Sequence, residues 1–254
     1  MPASQSVAEF RPGAGLLVLG VDTCGPSGSV ALARLEMSTA QISGQTAWDI
    51  GQSAEILGQV TLAGRTYSAT LVAAIAELLT KHEARLADVG AIAVVHGPGS
   101  FTGVRVGLSA VKGLAEPGKT PVVVVSRLEV LAAKVGVPSA SLDAHRHEVF
   151  LRLAGREGGA QQLLAGAEDL MEINPAPTKM AVCDDEAATL LESVWQGTEL
   201  IRSEAPTATD AIRTCVPAIL AGEFADLALL DGFYLRRSDA EIFGDPSTAK
   251  ARHV

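Results

Sequence analysis

Apolar positions along this chain come in short runs separated by turns rich in glycine, proline and aspartate. Leu16–Val21 is an unbroken apolar run suited to a buried central strand, halted by Asp22-Thr23-Cys24-Gly25-Pro26. A second strand is expected over Ser29–Leu35, after the turn at Gly25–Gly28, and two more strand-like segments fit within 41–50 and 54–62. Strands that meander before the first helix predict an antiparallel beginning to a mixed sheet. From Ser68 to Lys81 the period changes to that of a helix: Leu71, Ile75, Leu78 and Leu79 form its main apolar face, which Val72 and the alanines broaden. Ile92–Val95 is then a short buried strand.

The stretch His96–Ala115 follows. It opens as a glycine- and proline-broken turn and becomes a helix near Ser100 or Thr102, either of which can cap the first amides. At about 100° per residue, Arg105, Ser109, Lys112 and Glu116 share one narrow polar stripe. Val104, Leu108, Val111 and Ala115 form a neighbouring aliphatic face, and Gly103, Gly107, Ala110 and Leu114 lie opposite the polar one. Each interior glycine costs a helix roughly 0.8–1 kcal/mol relative to alanine, so close approach of another backbone is the simplest compensation. Two readings are open: a helix covered wholly by its own subunit, or one with a second face kept for a partner.

A second cycle begins at Val122–Val125, a β-branched run that reads as a fully covered strand. Ser126-Arg127-Leu128-Glu129 has the pattern of a capping box, opening a helix through about Val135. Strands are expected at 139–142, 148–153, 161–164, 180–183 and 200–202, with a helix at 186–195 and another, capped by Thr209 or Asp210, running to Ala221. Pro217 is expected to kink that last helix or mark its first turn. The order β-β-β-α-β-α describes a ribonuclease-H-like lobe, and the second half reads as another version of it. The expected fold class is therefore α/β, with duplicated ribonuclease-H-like lobes (the actin-like ATPase, or ASKHA, architecture), mixed sheets and flanking helices. The expected divisions are an N-terminal lobe at 14–121, a C-terminal lobe at 122–207, a helix at about 208–223 packing back on the first lobe, and flexible termini at 1–13 and 238–254.

Composition narrows the class. With 254 residues, 48% hydrophobic and 19% charged, the chain has ample core material, and aromatics at 4% leave that core to Ala, Val, Leu and Ile. A net charge of −9 argues against an autonomous nucleic-acid binder. The start lacks a basic region followed by an apolar run, so no secretory signal is expected, and no 18-residue apolar stretch suggests a membrane span. Cys24, Cys183 and Cys215 are scattered and odd in number, which fits reduced thiols and a cytoplasmic location.

Candidate chemistry is sparse. Asp22, Thr23, Cys24, Gly28 and Ser29 sit where a strand–turn–strand can offer amides and hydroxyls to phosphate, with the Asp22 carboxylate on a hydrated Mg²⁺. An aspartate-capped hairpin turn fits the same residues. Asp143 is a candidate second acid, but Gly158-Gly159, the nearest glycine pair to an adenosine loop, reads as a surface turn. His82, His96, His145, His147 and His253 show no H-x-x-x-H spacing, so no metal site is expected. Arg236-Arg237 after Tyr234 reads as a surface pair, or as a hydrogen-bonding group for an acidic partner or for the carboxylates of the turn at Asp143.

The stretch G-P-G-S-F-T-G-V-R-V-G-L-S-A-V-K-G-L-A at 97–115 closely resembles the signature of the bacterial TsaB (YeaZ) family. V-D-T-C-G-P-S-G-S-V-A-L-A at 21–33, Arg65-Thr66-Tyr67-Ser68, L-D-A-H-R-H-E-V-F at 142–150 and Tyr234-Leu235-Arg236 resemble the same family in the same order. Two positions depart from it: Tyr67 stands where histidine is usual, and Cys24, where a small hydroxyl residue is usual, weakens any phosphate loop. The resemblance implies a noncatalytic partner of TsaD in forming N6-threonylcarbamoyladenosine (t6A) at position 37 of ANN-decoding tRNAs. TsaD would carry the transferase site and metal-binding histidines, and TsaC-type enzymes would supply threonylcarbamoyl-AMP. TsaE, an ATPase, would join the complex, and tRNA would be met only indirectly. Pairing is implied through the helices at 68–81 and 101–115, with Leu71, Ile75, Leu78, Phe101, Gly103, Val104, Gly107, Leu108, Ala110, Val111 and Leu114 as interface residues. Homodimerisation through the same surface would compete with TsaD. The 22–29 turn would be a vestigial phosphate loop, with Arg65, Asp143 and Arg236 as partner or nucleotide contacts. No intrinsic cofactor is implied; ATP or ADP with Mg²⁺ would belong at the complex interface. The rival from another class is an autonomous actin-like ATPase or kinase using Asp22 and Asp143.

Overall fold

Aliphatic runs form the strands of two five-stranded sheets that share one strand order. The computed structural model describes residues 15–36, 54–64, 66–155 and 159–236. The strand expected within 41–50, the termini at 1–13 and 238–254, Arg65, Gly158, Arg237 and His253 lie outside them. The first sheet holds β1 (Leu16–Asp22), β2 (Ser27–Leu35), β3 (Ala54–Ala63), β4 (Val89–Val95) and β5 (Val122–Val125), ordered β3-β2-β1-β4-β5. β1–β2 and β2–β3 are antiparallel; β1–β4 and β4–β5 are parallel. The second holds β6 (Ala140–Asp143), β7 (Glu148–Ala154), β8 (Ala160–Gly166), β9 (Lys179–Val182) and β10 (Glu199–Arg202). Its order, β8-β7-β6-β9-β10, repeats the first, antiparallel in its first three strands and parallel in the rest. The duplicated ribonuclease-H-like architecture is thus present strand for strand.

Helices cover both faces of the first sheet, which explains why Val18, Leu19, Val21, Ile92 and Val94 are all buried along consecutive strands. α1 (Tyr67–Lys81) and α2 (Phe101–Ala115) lie together in that lobe, α1 over β2 and β3 and α2 against β4 and β1. α3 (Arg127–Val135) follows β5 and gives Leu128, Leu131 and Ala132 to a core shared with β6 and β7, while Val130 belongs to the first core. α4 (Ala167–Glu172) and α5 (Asp185–Val194) serve the second sheet, and α6 (Ala208–Ala221) returns to the first, burying Ile212, Val216 and Ile219 against its strands.

Three local expectations change, and one helix was not expected. Ser126 precedes α3 but makes no cap; its hydroxyl turns to Gln162 Oε1 instead, so the capping box does not form. α6 is capped by Thr207, reciprocally with Asp210, not by Thr209. It runs through Pro217 in its third turn, where the missing N–H leaves the Arg213 carbonyl without its usual partner. Finally, α4 has only 6 residues, too few to show a period, and it stands where α1 stands in the first lobe.

Candidate functional site

The β1–β2 turn is held from Asp22 to Gly25. Asp22 Oδ1 accepts the Cys24 amide at 2.8 Å, Thr23 Oγ1 donates to the Gly103 carbonyl at 2.7 Å, and the Cys24 thiol reaches the Val95 carbonyl at 3.3 Å. The Ser100 amide donates to the Cys24 carbonyl at 2.8 Å, and the Tyr67 hydroxyl to the Gly25 carbonyl at 2.9 Å. Arg127 enters from α3, with Nε 3.6 Å from Asp22 Oδ2. Burial, then the neighbouring Asp22 charge, pushes the Tyr67 hydroxyl up to about 12 and raises the Cys24 thiol. Burial likewise pushes Cys183 up to about 11 and raises Cys215. None of the three thiols is prepared to act as a nucleophile.

This turn is what the glycines of α2 were made for. A Cβ at Gly103 would lie 2.0 Å from the Thr23 carbonyl oxygen, and one at Gly107 would lie 2.3 Å from Thr23 Oγ1. The close backbone approach is intramolecular. Ser100 caps the helix, its hydroxyl accepting the Gly103 amide at 3.2 Å.

The expected partner face is corrected accordingly. Leu71, Ile75, Leu78, Gly103, Val104, Gly107, Leu108 and Val111 are buried within this chain, because sheet and turn consume both apolar sides of α2 and the leucine face of α1. Phe101, Ala110 and Leu114 are half-buried. What faces outward is a strip of small and short apolar side chains. On α1 these are Ala69, Val72 (55% exposed), Ala73 and Ala76; on α2, exposed Ser109 and Gly113 lie among half-buried Val106, Ala110 and Leu114. A groove of about 330 Å³ runs between Tyr67, Val72, Val106 and Ala110, with Arg105 at its edge. Arg105 is poised there, its guanidinium carbon 3.9 Å from the centroid of the Phe101 ring.

The segment after α6 ties the lobes. Phe233 stacks on His96 at 5.5 Å and its amide donates to the His96 carbonyl at 2.7 Å, while Tyr234 meets Phe101 at 4.9 Å. Arg236 then donates to the carbonyls of Ala144 (2.6 Å) and His145 (3.3 Å) and pairs with Glu148. It therefore braces the turn after Asp143 without touching the Asp143 carboxylate, which is taken by His145 Nδ1 at 2.6 Å. His145, Arg146 and His147 form a left-handed turn, with φ values of 59°, 58° and 60°. Among the described residues, no cluster of three or more His, Cys, Asp or Glu side chains is arranged to hold a metal. No helix there is long and apolar enough to cross a membrane.

Burial lowers the pKa of His96 below 6.5, opposed by its bond to the Asp231 carbonyl. The unfolded chain therefore takes the proton first. His96 stabilises fully above about pH 6.5, and that contribution falls away as acid approaches the lowered folded value. His96→Phe, which keeps a ring on Phe233, is expected to flatten the dependence of urea-unfolding free energy on pH just below that point. An unchanged slope would assign it to other groups.

Comparison with known proteins places this geometry. The family model for TsaD, tRNA N6-adenosine threonylcarbamoyltransferase, matches residues 58–174. A Haemophilus influenzae protein named tRNA threonylcarbamoyladenosine biosynthesis protein TsaB is 36% identical over 102 residues, 38% of this chain and 43% of that protein. The Escherichia coli protein of the same name is 30% identical over 139 residues, 52% of each. The matched region thus spans about half the length of these curated relatives. A Pseudomonas aeruginosa crystal structure, described as an uncharacterized protein with similarity to peptidase YEAZ, superposes with a TM-score of 0.66 at 25% identity, covering 87% of this chain and 100% of that one. The chain is thus similar to TsaB-named proteins over part of their length and shares the fold of the Pseudomonas aeruginosa structure.

Two residues at the turn escape a reading of the sequence. Tyr67 shows only as a departure from the family pattern, and its hydroxyl proves to anchor Gly25. Arg127 shows only inside a capping pattern. One signal was available: a cation at the first residue of a helix opposes the helix dipole, so it needs an anion nearby.

Proposed function

We propose that this chain is a noncatalytic subunit that docks TsaD through the outward strip of α1 and α2 and so supports t6A formation at A37 of ANN-decoding tRNAs. The observation that carries the reading is the strip itself. Small residues on two adjacent helices, with a shallow apolar groove between them, let another helix pair approach closely, and Arg105 offers a preoriented guanidinium to a partner carboxylate. The family pairing described by the resemblance uses these two helices, now through Val72, Ala76, Val106, Ala110 and Gly113 in place of the buried leucines. A second copy of the chain competes for the strip, and TsaE joins the heterodimer. ATP or ADP with Mg²⁺ belongs to the assembled interface, and tRNA is contacted through the other subunits.

The test is co-purification of the full chain with TsaD from the same organism, followed by mass measurement. One copy of each is expected, with the chain's own dimer disappearing as TsaD is added. No complex at micromolar concentration would sink the proposal. So would tight binding of Mg-ATP by the chain alone, which would favour the autonomous ATPase.

A further inference from the structure

The two lobes end their first strands alike and then part. Asp22 closes β1 and Asp143 closes β6, and each carboxylate accepts the amide two residues on, from Cys24 and from His145, at 2.8 Å. The second carboxylate oxygen differs. That of Asp143 meets His145, whose ring stands mostly in solvent. That of Asp22, in a residue 1% exposed, has no hydrogen-bond partner among the described residues. Facing it at 3.6 Å is Arg127 Nε, also buried and also without an acceptor among the described residues.

Arg127 comes from the other lobe: it opens α3, whose leucines belong to the core shared with β6 and β7. Its backbone amide donates to the Gly97 carbonyl at 2.7 Å, so it also touches the turn before α2. Its guanidinium rests on the turn's backbone, since a Cβ at Gly25 would meet Nη2 at 2.3 Å.

An actin-like fold implies a metal-bound nucleotide between its lobes, with such a turn lending amides to phosphate and its aspartate to the hydrated ion. These residues do not fit that group. The Cys24 amide is spent on Asp22 itself, the Gly25 carbonyl is taken by Tyr67, and the carboxylate faces a fixed cation in a site closed to solvent. A metal ion would have to displace a buried guanidinium and leave that charge unpaired, which is strongly unfavourable.

We propose that Arg127 is a resident counter-cation for Asp22: a side chain of the second lobe fills the place of metal-bound phosphate and ties the lobes together with no ligand. The assignment is independent of the pairing strip and would stand if no TsaD complex formed.

Thermal unfolding of the full chain tests it. Arg127→Ala is expected to lower the melting temperature by several degrees. Low-millimolar methylguanidinium should return most of that loss, while methylurea, similar in shape but neutral, should not. Neither compound should act on the parent chain or on Asp22→Asn/Arg127→Ala. Hydrogen exchange at the amides of Cys24, Ser100 and residue 127 is expected to quicken at least tenfold in Arg127→Ala, reporting a loosened lobe junction. Should that variant fail to fold, Asp22→Asn, Arg127→Met and the double change form a cycle in which the double loses clearly less than the sum of the singles. Rescue by methylurea as well as methylguanidinium, or additive losses in the cycle, would overturn the proposal. So would a rise in the parent chain's melting temperature with Mg²⁺ and ATP that Asp22→Asn abolishes.

Discussion

Gly103→Val is expected to destabilise the first lobe, by about 3 kcal/mol or more, and not merely to detach a partner. Its Cβ would sit 2.0 Å from a backbone oxygen, that of Thr23. Neither side can yield cheaply. The β1–β2 turn is pinned by the Asp22, Cys24 and Tyr67 bonds, and α2 is pinned at Ser100. Any gain in helix propensity, at most roughly 1 kcal/mol, is too small to compensate. Gly107→Ala should be milder, because its neighbour is the rotatable Thr23 hydroxyl, whose bond to the Gly103 carbonyl would be forfeited for about 1 kcal/mol. Urea unfolding of both variants measures the difference. A Gly103→Val chain as stable as its parent, yet unable to hold TsaD, would return the glycine face to the partner.

Ala110→Glu and Val72→Asp should show the opposite split. Ala110 is half-buried at the groove and Val72 is 55% exposed, so a carboxylate at either position stays in water in the free chain. Unfolding midpoints should move little, as for ordinary surface changes. Within a complex the same charge would be desolvated on an apolar strip, costing roughly 3 kcal/mol, or about 100-fold in affinity. Titration against TsaD with stability measured in parallel checks both halves. Unaltered affinity in both variants would remove the strip from the interface.

The strands and helices were legible because their causes are local. Val122–Val125 can hardly be anything but a covered strand, and the leucines of Tyr67–Lys81 repeat at the helical period. The topology followed only in part: few arrangements are open to three strands joined by short turns and two more separated by helices, but the expected lobe boundary at 122 fails, because β5 (Val122–Val125) pairs in parallel with β4 in the first sheet. The 20 residues from His96 to Ala115 declared that α2 needed cover on nearly every side. They could not declare who supplies it. Spacing alone left the glycine face open to a partner or to the chain's own backbone, and the turn that fills it lies about 80 residues earlier. The Asp22 turn was visible as a motif, but its charge partner was not, because Arg127 arrives from the opposite lobe.

By itself, then, the sequence settled the periods and the order of elements and narrowed the cap of α2 to Ser100 or Thr102, all set by neighbours a few positions apart along the backbone. Which face of α2 stays free, and whether the Asp22 carboxylate meets a metal or an arginine, was decided only when β1, α2 and α3 packed. Those outcomes depend on distances between segments remote in the chain, and side-chain spacing within one segment carries no measure of them.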